Sequence, residues 1–475
     1  MEIGLFIREF VEMIIAREKE LNKIYDLSNS KGFEFLVMYG RRRVGKTELL
    51  KELSRNKKTI FYAAQEKNDK LNLDEFVKAI KTYFGEINDF TFDNWKAAFD
   101  YFADRVSKIK SKTILIIDEF PYIANENPTI KSTLQHLIDH KLKDLNVLLI
   151  LCGSSISSME EGVLGKKSPL YGRATAKMEV KPLEYLDSFK FMSGYKTLDK
   201  FITYGMLGGI PYYLNEFDYK KTILRNLADK IINNFSMLYD EPQTILRMEF
   251  REPAVYNSIL EAIATGKNKV NEISQLINEE SFKCSKYINT LRNIHLVNRI
   301  TPCGDKETSK NSLYEISDNF ISFWYRYIFK NKNYYLLLDN DNAAKEILSD
   351  INSYMGRIFE KISLEYMLNM AKNNNLPFVP AYFGKWWGSN AKTKKQDDVD
   401  VLMLSKDKKK GIFCECKFRN EKFDLKELED LKTVAESFSN VKDKYFYLIS
   451  KSGFTKSVIS EKNKRIKLIN LDDMV

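Results

Sequence analysis

"FEFLVMYGRRRVGKTELLKEL", residues 33–53, joins an apolar run, a glycine-bounded basic loop and an amphipathic pattern end to end. The run over 35–39 predicts a strand, and Leu49, Leu50 and Leu53 at helical spacing predict a helix opening near Lys46. Between them stand Gly40, Arg41, Arg42, Arg43, Val44, Gly45, Lys46 and Thr47, a full Gly-x4-Gly-Lys-Thr phosphate loop in its proper strand-to-helix context. The glycines let backbone N–H groups close on phosphate oxygens, and the helix start adds a favourable dipole. Lys46 then reaches the β and γ phosphates, and Thr47 offers its hydroxyl to Mg²⁺. ATP and Mg²⁺ are the expected ligands.

Such a loop needs carboxylates from a neighbouring strand. In "KTILIIDEFPYI" (112–123) the run 114–117 has the β-branched apolar character of a central parallel strand. It delivers Asp118 to the Mg²⁺ side and Glu119 as general base; the bland alternative is that both acids cap the next element. A third run, "NVLLILCGSSIS" (146–157), ends at Ser154, where strand C-termini face the ligand crevice of an open α/β sheet. Ser154 is there to sense the γ phosphate or to cap a helix. Cys152 reads as a small buried residue without a partner.

The chain has 475 residues, 44% hydrophobic and 13% aromatic, which predicts two to four packed domains rather than disorder. A formal charge of +10, from 75 basic and 65 acidic residues, suits a polyanionic partner and equally a soluble surface. Five scattered cysteines are not a secreted disulfide framework, so a reducing, cytoplasmic setting is expected. Charges at Glu2, Arg8, Glu9 and Glu12 break the first apolar runs, which removes a signal-peptide reading. No run approaches the roughly 18 apolar residues of a membrane span.

The order of "IIAREKEL" (14–21), "YGRRRVGKT" (39–47), "LIIDEFPYI" (115–123), "CGSS" (152–155), "SPLYGRA" (168–174) and "LGGIPYYL" (207–214) resembles the archaeal-type ATPase family, a branch of the AAA+ and STAND-like P-loop ATPases. The resemblance implies that Arg17 and Glu18 lie near the adenine and that Gly209 and Pro211 lie close to the nucleotide. It also gives Arg173 the position of an arginine finger, acting on a neighbouring subunit or on its own nucleotide. A structural ion pair is the alternative for Arg173.

Over 246–330 the text changes to three short amphipathic helices, a strand "HLVNRITP" (295–302), a polar turn and a strand "SLYEI" (312–316). That is the order of a winged helix, with 285–293 as recognition helix and 305–310 as wing tip. Lys283, Lys286, Arg292 and Lys310 are placed to meet phosphates, although the same fold also serves as a protein-packing module. "DNFISFWYRYIF" (318–329) is too aromatic for a surface helix and should pack the winged helix against the C-terminal domain.

In "KQDDVDVLMLSKDKKKGIFCECKF" (395–418) two strands flank a basic turn, so Asp400 and Glu415 fall at one end of a hairpin with Lys417 on the face of Glu415. Alternation sends Cys414 and Cys416 to the other face, as core residues rather than a metal clip. Two carboxylates and a lysine are what metal-assisted phosphodiester cleavage uses. With "GRIFE" (356–360) and "KWW" (385–387) in order, the segment resembles the PD-(D/E)XK nuclease superfamily. The resemblance implies Asp400, Glu415 and Lys417 as the catalytic core, Asp400 and Glu415 as metal ligands, Glu360 as a helix-borne contributor and Asp398 as an auxiliary.

The expected architecture is α/β: a P-loop AAA+-like parallel-sheet core over 1–180, a helical lid over 181–245, a winged helix over 246–330 and a restriction-endonuclease-like α/β domain over 331–475. The expected function is ATP hydrolysis coupled to binding or Mg²⁺-dependent cleavage of nucleic acid, DNA before RNA. The alternative is a STAND-type switch in which nucleotide controls homo-oligomerisation and the nuclease-like fold is an interaction module. A metabolic kinase is disfavoured by the acidic pair and the long appended domains.

Overall fold

The computed structural model describes residues 14–88, 90–389 and 396–475; the charged N-terminal stretch around Arg8 lies outside them. The chain resolves into two compact units, 1–183 with 210–212, and 184–209 with 213–475. No helix among the described residues is long and apolar enough to cross a membrane.

The first unit is built on five parallel strands in the order β2-β3-β4-β1-β5. These are β1 (Glu34–Tyr39), β2 (Thr59–Ala63), β3 (Thr113–Asp118), β4 (Val147–Gly153) and β5 (Ala176–Glu179). Every residue of β3 and β4 is buried, because helices cover both faces of a parallel sheet and leave no solvent side for polar alternation. Helix α1 (Glu18–Asn29) precedes β1, and α2 (Lys46–Asn56) comes directly after the phosphate loop. The central runs and the strand-to-helix transition at Lys46 fall where sequence reading puts them.

The second unit contains α3 (Ala254–Ala264), α4 (Val270–Leu276) and α5 (Ser281–Asn293), then the antiparallel pair β6 (Val297–Ile300) and β7 (Leu313–Ile316). The expected recognition helix is the later part of α5. The aromatic segment 318–329 forms a helix, Asn319–Trp324, continued by a π turn, Tyr325–Phe329. Its Phe320, Phe323, Trp324 and Tyr325 are buried. Tyr325 donates to Asn257 of α3 at 2.6 Å and Tyr327 donates to Asp350 at 2.7 Å, which ties the three-helix region to the start of the long helix at Ile351.

That helix, α6 (Ile351–Lys372), covers a second sheet ordered β12-β11-β10-β9-β8. Strands β8 (Tyr382–Ser389), β9 (Gln396–Leu404) and β10 (Lys410–Lys417) are antiparallel neighbours, whereas β10, β11 (Asp443–Ser450) and β12 (Ile466–Asn470) run parallel. Helix α7 (Leu425–Glu436) bridges β10 to β11 and buries Leu428, Leu431 and Ala435 against Val399, Phe413 and Leu448. A mixed α/β sheet with a hairpin at β9 and β10 is therefore present.

Candidate functional site: a phosphate loop and an acidic cluster

Gly40 leaves β1 at φ 153°, and a Cβ there would lie 2.3 Å from the carbonyl oxygen of Val180. Only glycine lets the chain turn at this point. Arg43 at φ 68° and Gly45 at φ 97° complete the loop before α2 begins. The ammonium of Lys46 is buried and donates to the carbonyls of Gly40 and Arg41 at 2.8 and 2.9 Å. Burial lowers its pKa, against the opposing pull of Cys152, Glu119 and Asp118.

The Thr47 hydroxyl donates to Asp118 Oδ2 at 2.9 Å. The next residue, Glu119, adopts a left-handed φ of 51°, a strained conformation for a non-glycine residue. Its carboxylate accepts from the hydroxyl of Ser154 at 2.8 Å and from the Ser154 amide at 3.2 Å. Ser154 thus orients Glu119 from the end of β4. Cys152, expected to stand alone, hydrogen-bonds Asp118, and burial together with that carboxylate pushes its thiol well up.

Arg17, read as an adenine neighbour, is buried and spans the carbonyls of Val44 at 2.9 Å and Lys181 at 2.7 Å, with Glu20 as ion partner at 2.8 Å. It braces the loop. Glu18 is exposed at the start of α1. Arg173 forms a fork with Asp139, Nε to Oδ1 at 2.8 Å and Nη2 to Oδ2 at 2.7 Å. That bond holds the guanidinium pKa up and the Asp139 carboxyl pKa down.

Pro211 belongs to the first unit and Gly209 to the second. Sequence reading missed Tyr212 beside Pro211: its ring stacks under the Arg43 guanidinium, 4.3 Å from the ring centre. A tyrosine within the quoted "GGIPYYL" was the available signal.

In the second unit, Asp400 is buried on β9 and accepts a 2.9 Å bond from the Cys416 amide of β10, which fixes the hairpin expected from sequence. Glu415 and Lys417 are directly ion-paired. Cys414 and Cys416 are buried, free thiols with sulfurs 3.8 Å apart, away from the charged pair. Lys385, which sequence reading left inside "KWW" without a role, reaches Glu360 at 2.7 Å, Asp398 at 3.3 Å and Asp400 at 3.6 Å.

Burial and the charge of Asp400 push Glu360 up to about 7 and Glu415 up to about 8. Asp400 is also raised by burial, with Lys385 opposing. Among the described residues no group of three or more His, Cys, Asp or Glu side chains is arranged to cage a cation. Mg²⁺ does not require such a cage, since one or two carboxylates with waters and substrate oxygens suffice. Asp400 and Glu415 are the carboxylates of this hairpin, and the charge of Asp400 disfavours the Glu415 anion.

A phosphate loop on a parallel sheet, with Thr47 bonded to Asp118 and Glu119 held by Ser154, defines a P-loop ATPase domain. Residues 14–217 match the model of the "ATPase domain predominantly from Archaea", and residues 324–431 match a second model, "Archaea bacterial proteins of unknown function". The chain is 33% identical over 472 residues to uncharacterized protein MJECL04 of Methanocaldococcus jannaschii, covering 97% of this chain and all of that protein. It belongs to this archaeal ATPase family. The Walker-type ATPase PABY2304 of Pyrococcus abyssi has a similar fold, with a TM-score of 0.50 at 19% identity over 68% of this chain and 99% of that one.

Proposed function

We propose that the chain hydrolyses ATP at the phosphate loop and uses the cycle to control engagement of nucleic acid, DNA in preference to RNA, by its second unit. The observation that carries this reading is the row of Lys46, Thr47, Asp118, Glu119 and Ser154 at the ends of β1, β3 and β4. Lys46 exchanges its two carbonyl partners for the β and γ phosphates. Thr47 and Asp118 hold Mg²⁺, which supplies charge neutralisation at the transferring phosphoryl group. Glu119, kept in place by Ser154, takes the proton of the attacking water. Arg173 is held by Asp139 and would have to leave it to act as a finger. Positioning accounts for most of the acceleration in this chemistry, so turnover without a partner is slow.

For the second unit, α5 and the turn between β6 and β7 supply Lys283, Lys286, Arg292 and Lys310 to backbone phosphates. Asp400 and Glu415 hold Mg²⁺ against a phosphodiester, with Lys417 steadying the developing charge and Glu360 supporting from α6. One observation favours the second reading, a nucleotide-controlled switch with a binding module: Lys385 already balances Glu360, Asp398 and Asp400.

One assay tests the hydrolysis common to both readings, and a second separates them. Glu119→Gln should keep ATP affinity and lose turnover at least a hundredfold; retained turnover removes the hydrolysis proposal. Mg²⁺- or Mn²⁺-dependent cutting that Asp400→Ala abolishes establishes the nuclease. An inert wild-type protein, tried with and without ATP on several nucleic-acid forms, leaves the switch.

A further inference from the structure

The second unit holds a half-open cavity of about 550 Å³ lined by the β6–β7 hairpin, α6, β8 and Asp400 of β9. This lies within the range of roughly 300–1,000 Å³ typical of small-ligand sites. Its walls are bonded to one another. Trp387 donates to the Asn311 carbonyl at 3.1 Å, Lys361 donates to the Ile316 carbonyl at 3.2 Å, and the Cys303 amide donates to the Lys385 carbonyl at 2.8 Å.

Two guanidinium groups on this cavity have unmet donors. Arg299 gives one nitrogen to the Ser309 carbonyl at 2.8 Å, but its Nε is buried without a partner. Arg357 enters no hydrogen bond or ion pair among the described residues, unlike Arg326 nearby, which is committed to Asp350 and Ser353. Donors of this kind call for an anion with several oxygens. The same cavity is lined by Tyr314, Phe383 and Trp387, and Phe383 is 50% exposed on the edge strand β8. An unspent aromatic surface beside unspent guanidinium groups suits a flat ring that carries a phosphate.

We infer that this cavity binds a nucleotide unit, an aromatic base bearing a phosphate, either as a free mononucleotide or as the terminal residue of a single strand. The site is separate from the phosphate loop; Glu360, Lys385 and Asp400 also line it, so it adjoins the proposed cleavage site, but binding requires neither ATP turnover nor cleavage.

The test uses the full chain carrying Lys46→Ala, which disables the phosphate loop, in EDTA so that nothing is cut. Thymidine 5′-monophosphate, AMP and a 5′-phosphorylated tetrathymidylate are titrated by calorimetry. One saturable site is expected, weakened tenfold or more by Arg357→Ala and by Phe383→Ala. Both residues are exposed, so thermal midpoints should hold. Binding of a mononucleotide identifies the free ligand, and binding of the tetranucleotide alone identifies a strand end; either supports the inference. Absence of saturable binding with all three probes, or binding that both variants leave unchanged, overturns it. Loss of ATPase activity does not bear on this readout, and EDTA keeps cleavage by the adjoining Asp400 out of it.

Discussion

The Arg17 guanidinium donates a 2.9 Å hydrogen bond to the carbonyl of Val44, inside the phosphate loop, and a 2.7 Å bond to the carbonyl of Lys181 beyond β5. One side chain therefore fastens the loop to the edge of the sheet. Removing it leaves two carbonyls without their charged donor, a loss of about 2–3 kcal/mol for buried charge-assisted bonds. Arg17→Ala should lower the denaturant midpoint and weaken ATP and inorganic tripolyphosphate alike, and Arg17→Lys should not restore both bonds. A loss confined to ATP would place Arg17 at the adenine instead.

Arg173 and Asp139 predict a second outcome. Their side chains remain 26% and 36% exposed, and a partly exposed bidentate pair contributes roughly 0.5–1 kcal/mol. Arg173→Ala and Asp139→Ala should each cost that much, the double variant should cost no more than one of them, and ATP turnover should stay within twofold. A tenfold loss of turnover in Arg173→Ala alone, with Asp139→Ala unaffected, would assign the arginine to the nucleotide.

How much was legible in the sequence depends on how far apart the interacting residues lie. The phosphate loop, Asp118 and Glu119 were readable because each motif is contiguous and sits at a strand end, where alternation and apolar runs fix its direction. The Glu415 and Lys417 pair was readable because period-two alternation separates it from Cys414 and Cys416. Asp139 under Arg173, Tyr212 under Arg43 and Lys385 among the acids were not readable. Each partner comes from a distant segment, and no local periodicity reports which distant cation a carboxylate meets. Arg17 shows the same limit: its motif was recognised, but the Val44 and Lys181 carbonyls that it meets carry no sequence signal.

Glu365 supplies a pH prediction. On α6 it accepts a 2.8 Å bond from the Tyr185 amide, and burial pushes it up to about 8 from 4.5. A carboxyl group raised on folding binds its proton more tightly in the native state. Its contribution is therefore full below about pH 4.5 and is lost as pH rises through about 8. Glu365→Gln keeps the acceptor and cannot ionise. Its stability relative to the wild type should rise between pH 6 and pH 9, by roughly 1 kcal/mol or more, in urea midpoints measured at both. A constant difference would show that Glu365 does not titrate in this window.

Lys385 makes the strongest demand on the second unit, because Glu360, Asp398 and Asp400 all converge on its ammonium. Burial opposes that charge, yet the carboxylates of Glu360 and Asp400 hold the lysine pKa above its ordinary value. Deleting one member of a buried ionic cluster leaves the others uncompensated, at a cost of about 3–5 kcal/mol when burial is complete and less here, where the lysine side chain is 30% exposed. Lys385→Met should therefore lower stability by roughly 2–3 kcal/mol with the stem packing retained. Restoration by millimolar Mg²⁺ separates the two readings of the cluster. A thermal midpoint that recovers in Lys385→Met, but not when Asp400→Ala is added, means the carboxylates accept a divalent cation once the ammonium is gone. No recovery means the lysine serves a site that works without metal.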